Sequence, residues 1–216
     1  MSTPPHTDPT PDDPTPTDST PDDTTAGDHA APRTRRPYDR RELRSAPSLV
    51  LVATGHGKGK STAAFGTLLR SRGRDWPTAV VQFLKSGRWR TGEEAMLRQL
   101  GVEWFSAGDG FSWESQDLDE SRAKAVAAWT FSRELIEAGE HRMVMLDEIS
   151  YPMTWGWIDA DEVATVLRDR PQHVSVFLTG REMPQVVIDV ADTVTEMVAV
   201  KHAFQQGIRA RRGIDY

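Results

Sequence analysis

Residues 49–66 read LVLVATGHGKGKSTAAFG: an apolar run, three alternating glycines, a lysine-serine pair and a string of small residues. Leu49, Val50, Leu51 and Val52 show no polar alternation, the pattern of a parallel strand covered on both faces. Gly55, Gly57 and Gly59 remove Cβ atoms at every second position, so the backbone can take positive φ and bring N–H groups against an anion. The residues that follow start a helix whose positive end faces the same place. In such a loop Lys60 reaches the outer phosphates of a nucleotide and Ser61 offers a hydroxyl to magnesium. Gly55, His56, Gly57, Lys58, Gly59, Lys60, Ser61 and Thr62 are therefore the candidate nucleotide-binding residues. The stretch departs from G-x-x-x-x-G-K-[ST] at one place, since position 54 is Thr54 and the first glycine falls at Gly55.

The chain around this loop is long enough for one domain with appendages, at 216 residues. It has no cysteine, which removes disulfides, thiolate metal sites and a cysteine nucleophile from consideration and suits a reducing compartment. No apolar run approaches a membrane span and the N-terminus has neither a basic nor an apolar leader segment, so a soluble, cytoplasmic protein without a membrane partner is expected. The net charge of −6 is unevenly placed. Residues 1–32 hold seven aspartates and no lysine or arginine, which leaves residues 33–216 at +1. A folded part so nearly neutral does not indicate a nucleic-acid partner.

Composition also divides the chain. Residues 1–32 are a Thr/Pro/Asp tract with almost no apolar residue larger than alanine, and disorder is expected there. Residues 33–48 form an arm with six arginines between positions 33 and 44, read either as a solvated lead-in or as a segment that folds over an anionic ligand. Residues 49–216 are the domain. Within it, helices are expected at 62–72, with Phe65, Leu68 and Leu69 buried, at 92–100, and at 119–138 on the stripe Ala123, Val126, Ala127, Phe131, Leu135. Asp159 and Glu162 have the spacing of a capping box for a helix through 168, and 184–190 is a further short helix. Strands are expected at 78–85, 102–105, 142–149, 173–179 and 193–200. Gln82 and Lys85 fall at the end of their strand, where open parallel sheets place ligands. This alternation predicts an α/β fold, P-loop NTPase-like, with a mainly parallel sheet and helices on both faces.

Two further stretches bear on chemistry. RMVMLDEI (142–149) is a strand that closes on Asp147 and Glu148, as an element delivering a carboxylate to the magnesium beside a phosphate loop does. Candidate metal ligands are Ser61, Asp147 and Glu148, and candidate catalytic residues Lys60 and Glu148. GDGFSW (108–113) sets Phe111 and Trp113 on a loop, either as ordinary packing or as a platform for a flat ligand.

Taken with VVQFLK (80–85), TGRE (179–182), DTVTEM (192–197) and KHAFQQGIRARRGIDY (201–216), these stretches resemble the P-loop corrinoid adenosyltransferases over essentially everything after residue 48. The resemblance implies transfer of the 5′-deoxyadenosyl group of ATP to cobalt(I) of a corrinoid, with magnesium as cofactor and triphosphate as leaving group. It implies that Phe111 and Trp113 bind the corrinoid and exclude its lower axial ligand, that a flavoprotein reductant serves the reaction, and that the protein is a homodimer. His56, Ser112 and Arg211 stand where that family usually has other polar residues. A generic P-loop kinase or NTPase, or an ATP-dependent corrinoid carrier without catalysis, would share the loop and the acidic pair.

Overall fold

Val50–Thr54 (β1) passes through the glycine loop into Lys60–Arg72 (α1), and five more strands follow. These are Thr78–Ser86 (β2), Glu103–Gly108 (β3), Met143–Asp147 (β4), Ser175–Thr179 (β5) and Thr193–Glu196 (β6). The helices between them are Gly92–Gln99 (α2), Leu118–Ala138 (α3), Ser150–Thr154 (α4), Ala160–Asp169 (α5) and Gln185–Val190 (α6). The computed structural model describes residues 43–86, 91–108 and 118–215. The acidic tail, most of the arginine arm, and Phe111 and Trp113 lie outside the described residues.

The six strands form one sheet in the order β3-β2-β4-β5-β1-β6, with every neighbouring pair parallel. Adjacent residues of each strand serve opposite faces, and both faces are covered. On one, Ala64, Phe65 and Leu68 of α1 and Leu97 of α2 pack on Val80, Met143, Met145 and Phe177, with the Phe65 ring stacked 5.4 Å from Trp104. On the other, Trp129 and Ile136 of α3, Val163 and Leu167 of α5 and Val187 of α6 pack on Val81, Phe83, Val144, Leu146 and Leu178. This double burial is why β4 and β5 consist wholly of buried residues, and it is the P-loop NTPase-like α/β architecture expected from the strand and helix alternation.

Several details differ from the sequence reading. Helix α1 starts at Lys60, two residues early, because Gly59 enters at φ 114° and turns the chain directly into the helix. Leu69 is 54% exposed, and Ala64 and Ser71 share the buried side with Phe65 and Leu68. In α3 the stripe is turned: Ser121, Ala125, Ala128, Trp129, Ser132 and Ile136 are buried, Phe131 and Leu135 half-buried, and Ala123, Val126 and Ala127 exposed. Four of these six buried residues are alanine or serine, and the Ser132 hydroxyl is satisfied within the helix by donating to Ala128 O at 2.7 Å, so hydrophobicity alone misphases it. Asp159 caps α5 through Asp161 N (2.9 Å), but Glu162 does not close a capping box and pairs with Arg133 at 2.9 Å instead. Strand β6 stops at Glu196 with all four residues exposed, and α4 has no counterpart in the sequence reading.

Candidate triphosphate site

Because all strands run one way, the ends of β1, β4 and β5 meet at one edge of the sheet. The loop from β1 is held from behind. Gly57 N donates to Met197 O at 2.6 Å and Met197 N to Thr54 O at 2.8 Å. A Cβ on Gly57 would lie 2.7 Å from that Met197 oxygen, so only glycine allows this approach. Thr54 is still strand: its main chain pairs with Glu196 and its hydroxyl accepts from Met183 N at 3.3 Å. The one-place displacement of the first glycine thus has a plain cause, one more strand residue before the turn.

At the other end of the loop no side chain caps α1 and its first turn carries no acid, whereas α2, α3 and α5 each begin with acidic residues. The amides of its first turn are left to an outside acceptor, with the helix dipole behind them. Lys60 Nζ donates to Gly55 O and Gly57 O, both at 2.7 Å. An ammonium has three donors, so one remains for a ligand while the other two brace the loop. Burial and the neighbouring Arg181 lower the Lys60 pKa, against the pull of Glu148.

The loop opens on a cavity of about 250 Å³ lined by His56, Lys58, Lys60, Ser61, Thr62, Lys85, Glu148, Tyr151, Arg181 and Asp215 among others. Every loop residue from His56 to Thr62 reaches it, while Gly55 does not line it and serves the turn, at φ 87°. The two acids of the β4 end separate. Asp147 is fully buried; its Oδ1 accepts from Thr179 Oγ1 at 2.8 Å, and its Oδ2 from Gln82 Nε2 at 2.9 Å and from Lys85 Nζ at 3.5 Å. Glu148 lines the cavity from a left-handed backbone, φ 65°. Burial, and then the charge of Asp147, push its carboxyl pKa up to about 7 against the lowering effect of Lys85, Lys60 and Arg181. Burial alone would lower the Lys85 ammonium, but Asp147 and Glu148 outweigh it and hold its pKa above the ordinary value. Tyr151 is raised first by its burial.

Such a site offers main-chain donors and four cations to a polyanion, and hard oxygen donors to a cation. Ser61 and Glu148 line the same cavity, an oxygen pair of the kind that shares magnesium with substrate phosphates. Of the residues that the sequence singles out, those of the loop from His56 to Thr62, Lys85 and Glu148 line this cavity, and Asp147, expected as a metal ligand, does not. Thr179, Arg181 and Tyr151 are not among the sequence-based candidates, although the signal is present: TGR closes an apolar strand, the place where a parallel sheet presents ligand-facing groups. Asp215 was also missed; it reaches Lys58 at 2.6 Å from the chain's end.

The sheet, loop and acidic strand end define a P-loop NTPase-like α/β protein. Residues 47–216 match the family model described as ATP:corrinoid adenosyltransferase BtuR/CobO/CobP. Over 168 residues the chain is 41% identical to the corrinoid adenosyltransferase CobA of Salmonella typhimurium, covering 78% of this chain and 85% of that one. It is 42% identical over 172 residues to a corrinoid adenosyltransferase of a Sinorhizobium species, with 78% and 80% covered. With one from Pseudomonas aeruginosa it shares 40% identity over 177 residues, with 81% and 87% covered. The chain belongs to the ATP:corrinoid adenosyltransferase family, and membership supports transferase activity with ATP and a corrinoid as substrates.

Proposed function

We propose that this protein transfers the 5′-deoxyadenosyl group of ATP to cobalt(I) of a corrinoid, in adenosylcobalamin synthesis or salvage. The observation that carries the reading is the cavity in which Lys60, Lys58, Arg181 and an uncapped helix N-terminus meet Glu148, in a chain of this family. The cobalt(I) electron pair forms a bond to C5′, the C5′–O bond breaks, and triphosphate leaves with that bond's electrons. No side-chain nucleophile is needed. The protein's work is to hold C5′ in line with cobalt, which can lower a barrier by roughly 7–11 kcal/mol, and to stabilise the leaving triphosphate.

In this scheme the amides of residues 58–62 cradle the triphosphate and the free donor of Lys60 takes an outer phosphate oxygen. Lys58 exchanges Asp215 for phosphate, and Arg181 adds charge from the β5 end. Magnesium, when bound, neutralises charge on the departing oxygens. Ser61 and Glu148 are its proposed ligands; Asp147, already saturated by Thr179, Gln82 and Lys85, supports from behind. Phe111 and Trp113 are proposed to wall the corrinoid. A homodimer and a flavoprotein reductant complete the proposal, both on family resemblance.

The test is anaerobic incubation of the protein with ATP, magnesium and chemically reduced cob(I)alamin. An adenosylcobalt spectrum with stoichiometric triphosphate is expected. Release of phosphate or ADP without corrinoid would replace the reading with a generic NTPase, and corrinoid binding without triphosphate release would replace it with a carrier.

A further inference from the structure

The cation site proposed above rests on Glu148, yet Glu148 is a non-glycine residue in left-handed backbone, a conformation that costs of order 1 kcal/mol or more and persists only where its surroundings impose it. One side chain bonds its main chain at this turn. The Thr179 hydroxyl, fully buried at the end of β5, accepts the Glu148 N–H at 3.0 Å and donates its proton to Asp147 Oδ1 at 2.8 Å. Strand β5 stands next to β4 in the sheet, so this bond joins the ends of neighbouring strands. The other side of Asp147 is fixed by Gln82 of β2, whose Oε1 in turn accepts from the Trp104 indole N–H at 3.2 Å in β3. The neighbour of Thr179 is equally constrained. Gly180 has φ 143°, and a Cβ there would collide with Ser150 Oγ at the start of α4, so only glycine fits at this point.

We propose that Thr179 is the positioning residue of the cation site, its hydroxyl dividing the labour of the two acids. By donating to Asp147 it keeps that carboxylate satisfied and turned away from the cavity. By accepting from Glu148 N–H it holds the left-handed turn that delivers the second carboxylate into the cavity. A serine preserves both bonds. Alanine and valine break both, leaving a buried carboxylate short of a donor and a main-chain N–H without an acceptor, and the Glu148 backbone then relaxes away from the site.

This inference deepens the reading of Glu148 as a metal ligand and rests on it. It is tested by titrating Mn2+ into full-length protein saturated with ATP, without corrinoid, and following bound Mn2+ by its electron paramagnetic resonance. Thr179→Ser and Thr179→Ala both lose the methyl and differ only in the hydroxyl. T179S is expected within about threefold of wild type and T179A to bind Mn2+ at least about tenfold more weakly, the range typical of groups that orient metal ligands. ATP binding in chelator, which reads the loop alone, should stay within about twofold for both and so separates lost positioning from lost folding. T179V, which keeps the shape of threonine, is expected to behave as T179A. Equal Mn2+ affinity in T179A and T179S overturns the proposal. Glu148→Gln is the control for the reading beneath it: wild-type Mn2+ affinity in E148Q would overturn the carboxylate assignment itself. Weakened binding in E148Q with none in T179A would overturn the role of Thr179 alone.

Discussion

Glu148→Gln should make the metal-free protein more stable and abolish its magnesium-dependent function. The carboxyl is raised from an ordinary 4.5 to about 7, by burial first and by Asp147 second. Between those two values the folded protein holds a proton that the unfolded chain releases, so stability falls as pH rises through the window and the full loss is present above pH 7. At about 1.4 kcal/mol per pH unit, ionised Glu148 costs the fold on the order of 3 kcal/mol at pH 8 and nothing at pH 4. Glutamine has the shape of the protonated acid and removes that cost. For a domain of this size, where 1 kcal/mol moves the melting temperature by about 2–4 °C, E148Q should melt roughly 6–12 °C above wild type at pH 8 in chelator and level with it at pH 4. Magnesium with ATP should then reverse the ranking by stabilising the wild type alone. Differential scanning fluorimetry across pH, with and without Mg·ATP, makes the comparison. Parallel pH profiles for the two proteins would refute the account of Glu148 as a carboxylate held against its own charge for a cation.

Lys60→Ala should lower transfer about 10²–10³-fold, the equivalent of about 3–4 kcal/mol for one electrostatic contact to a leaving group, and activity within threefold of wild type would sink its role. It should also loosen the loop, since the same ammonium bridges Gly55 O and Gly57 O, so ATP binding in chelator should weaken. Gly57→Ala should cost about 1–3 kcal/mol of stability and weaken ATP binding, because its Cβ meets Met197 O at 2.7 Å; an unchanged melting temperature would disprove the approach of loop to strand. Replacing Phe111 and Trp113 with alanine should depress an assay begun from cob(II)alamin far more than one begun from pre-reduced cob(I)alamin; equal losses with a lowered melting temperature would return both to ordinary packing.

What the sequence made legible follows from what short stretches can specify. The strands are legible because burial on both faces leaves apolar runs such as 143–147, and the loop because an anion cradle needs glycine, lysine and serine at fixed spacing. Helix phase was less so. Alanine and serine at 121, 125, 128 and 132 carry little hydrophobic signal, yet they form most of the buried side of α3, while the more apolar Val126 is exposed. The division between Asp147 and Glu148 was not legible at all. Strand alternation places neighbouring side chains on opposite faces, but which acid meets the cavity depends on Gln82 and Thr179, residues 65 and 32 positions away from Asp147. Such bonds between strand ends leave no periodicity in the chain.

The DTVTEM stretch shows how a motif without chemistry of its own can still shape the site. It sits on an edge strand whose four residues are exposed, so burial does not explain it. Its first residue, Asp192, accepts the Val50 N–H at 2.7 Å at the entry of β1, and its last, Met197, bonds both Thr54 O and Gly57 N at the exit. The strand that bears the glycine loop is therefore gripped at both ends by one six-residue segment. A loop with several glycines has many conformations available, and ordering it on a ligand would consume binding energy. Clamping it from the sheet edge removes that loss in advance and leaves the amides of residues 58–62 aimed at the cavity. Under the proposed function, phosphate affinity therefore depends on Met197, which lines no part of the cavity, as well as on the lysines that do.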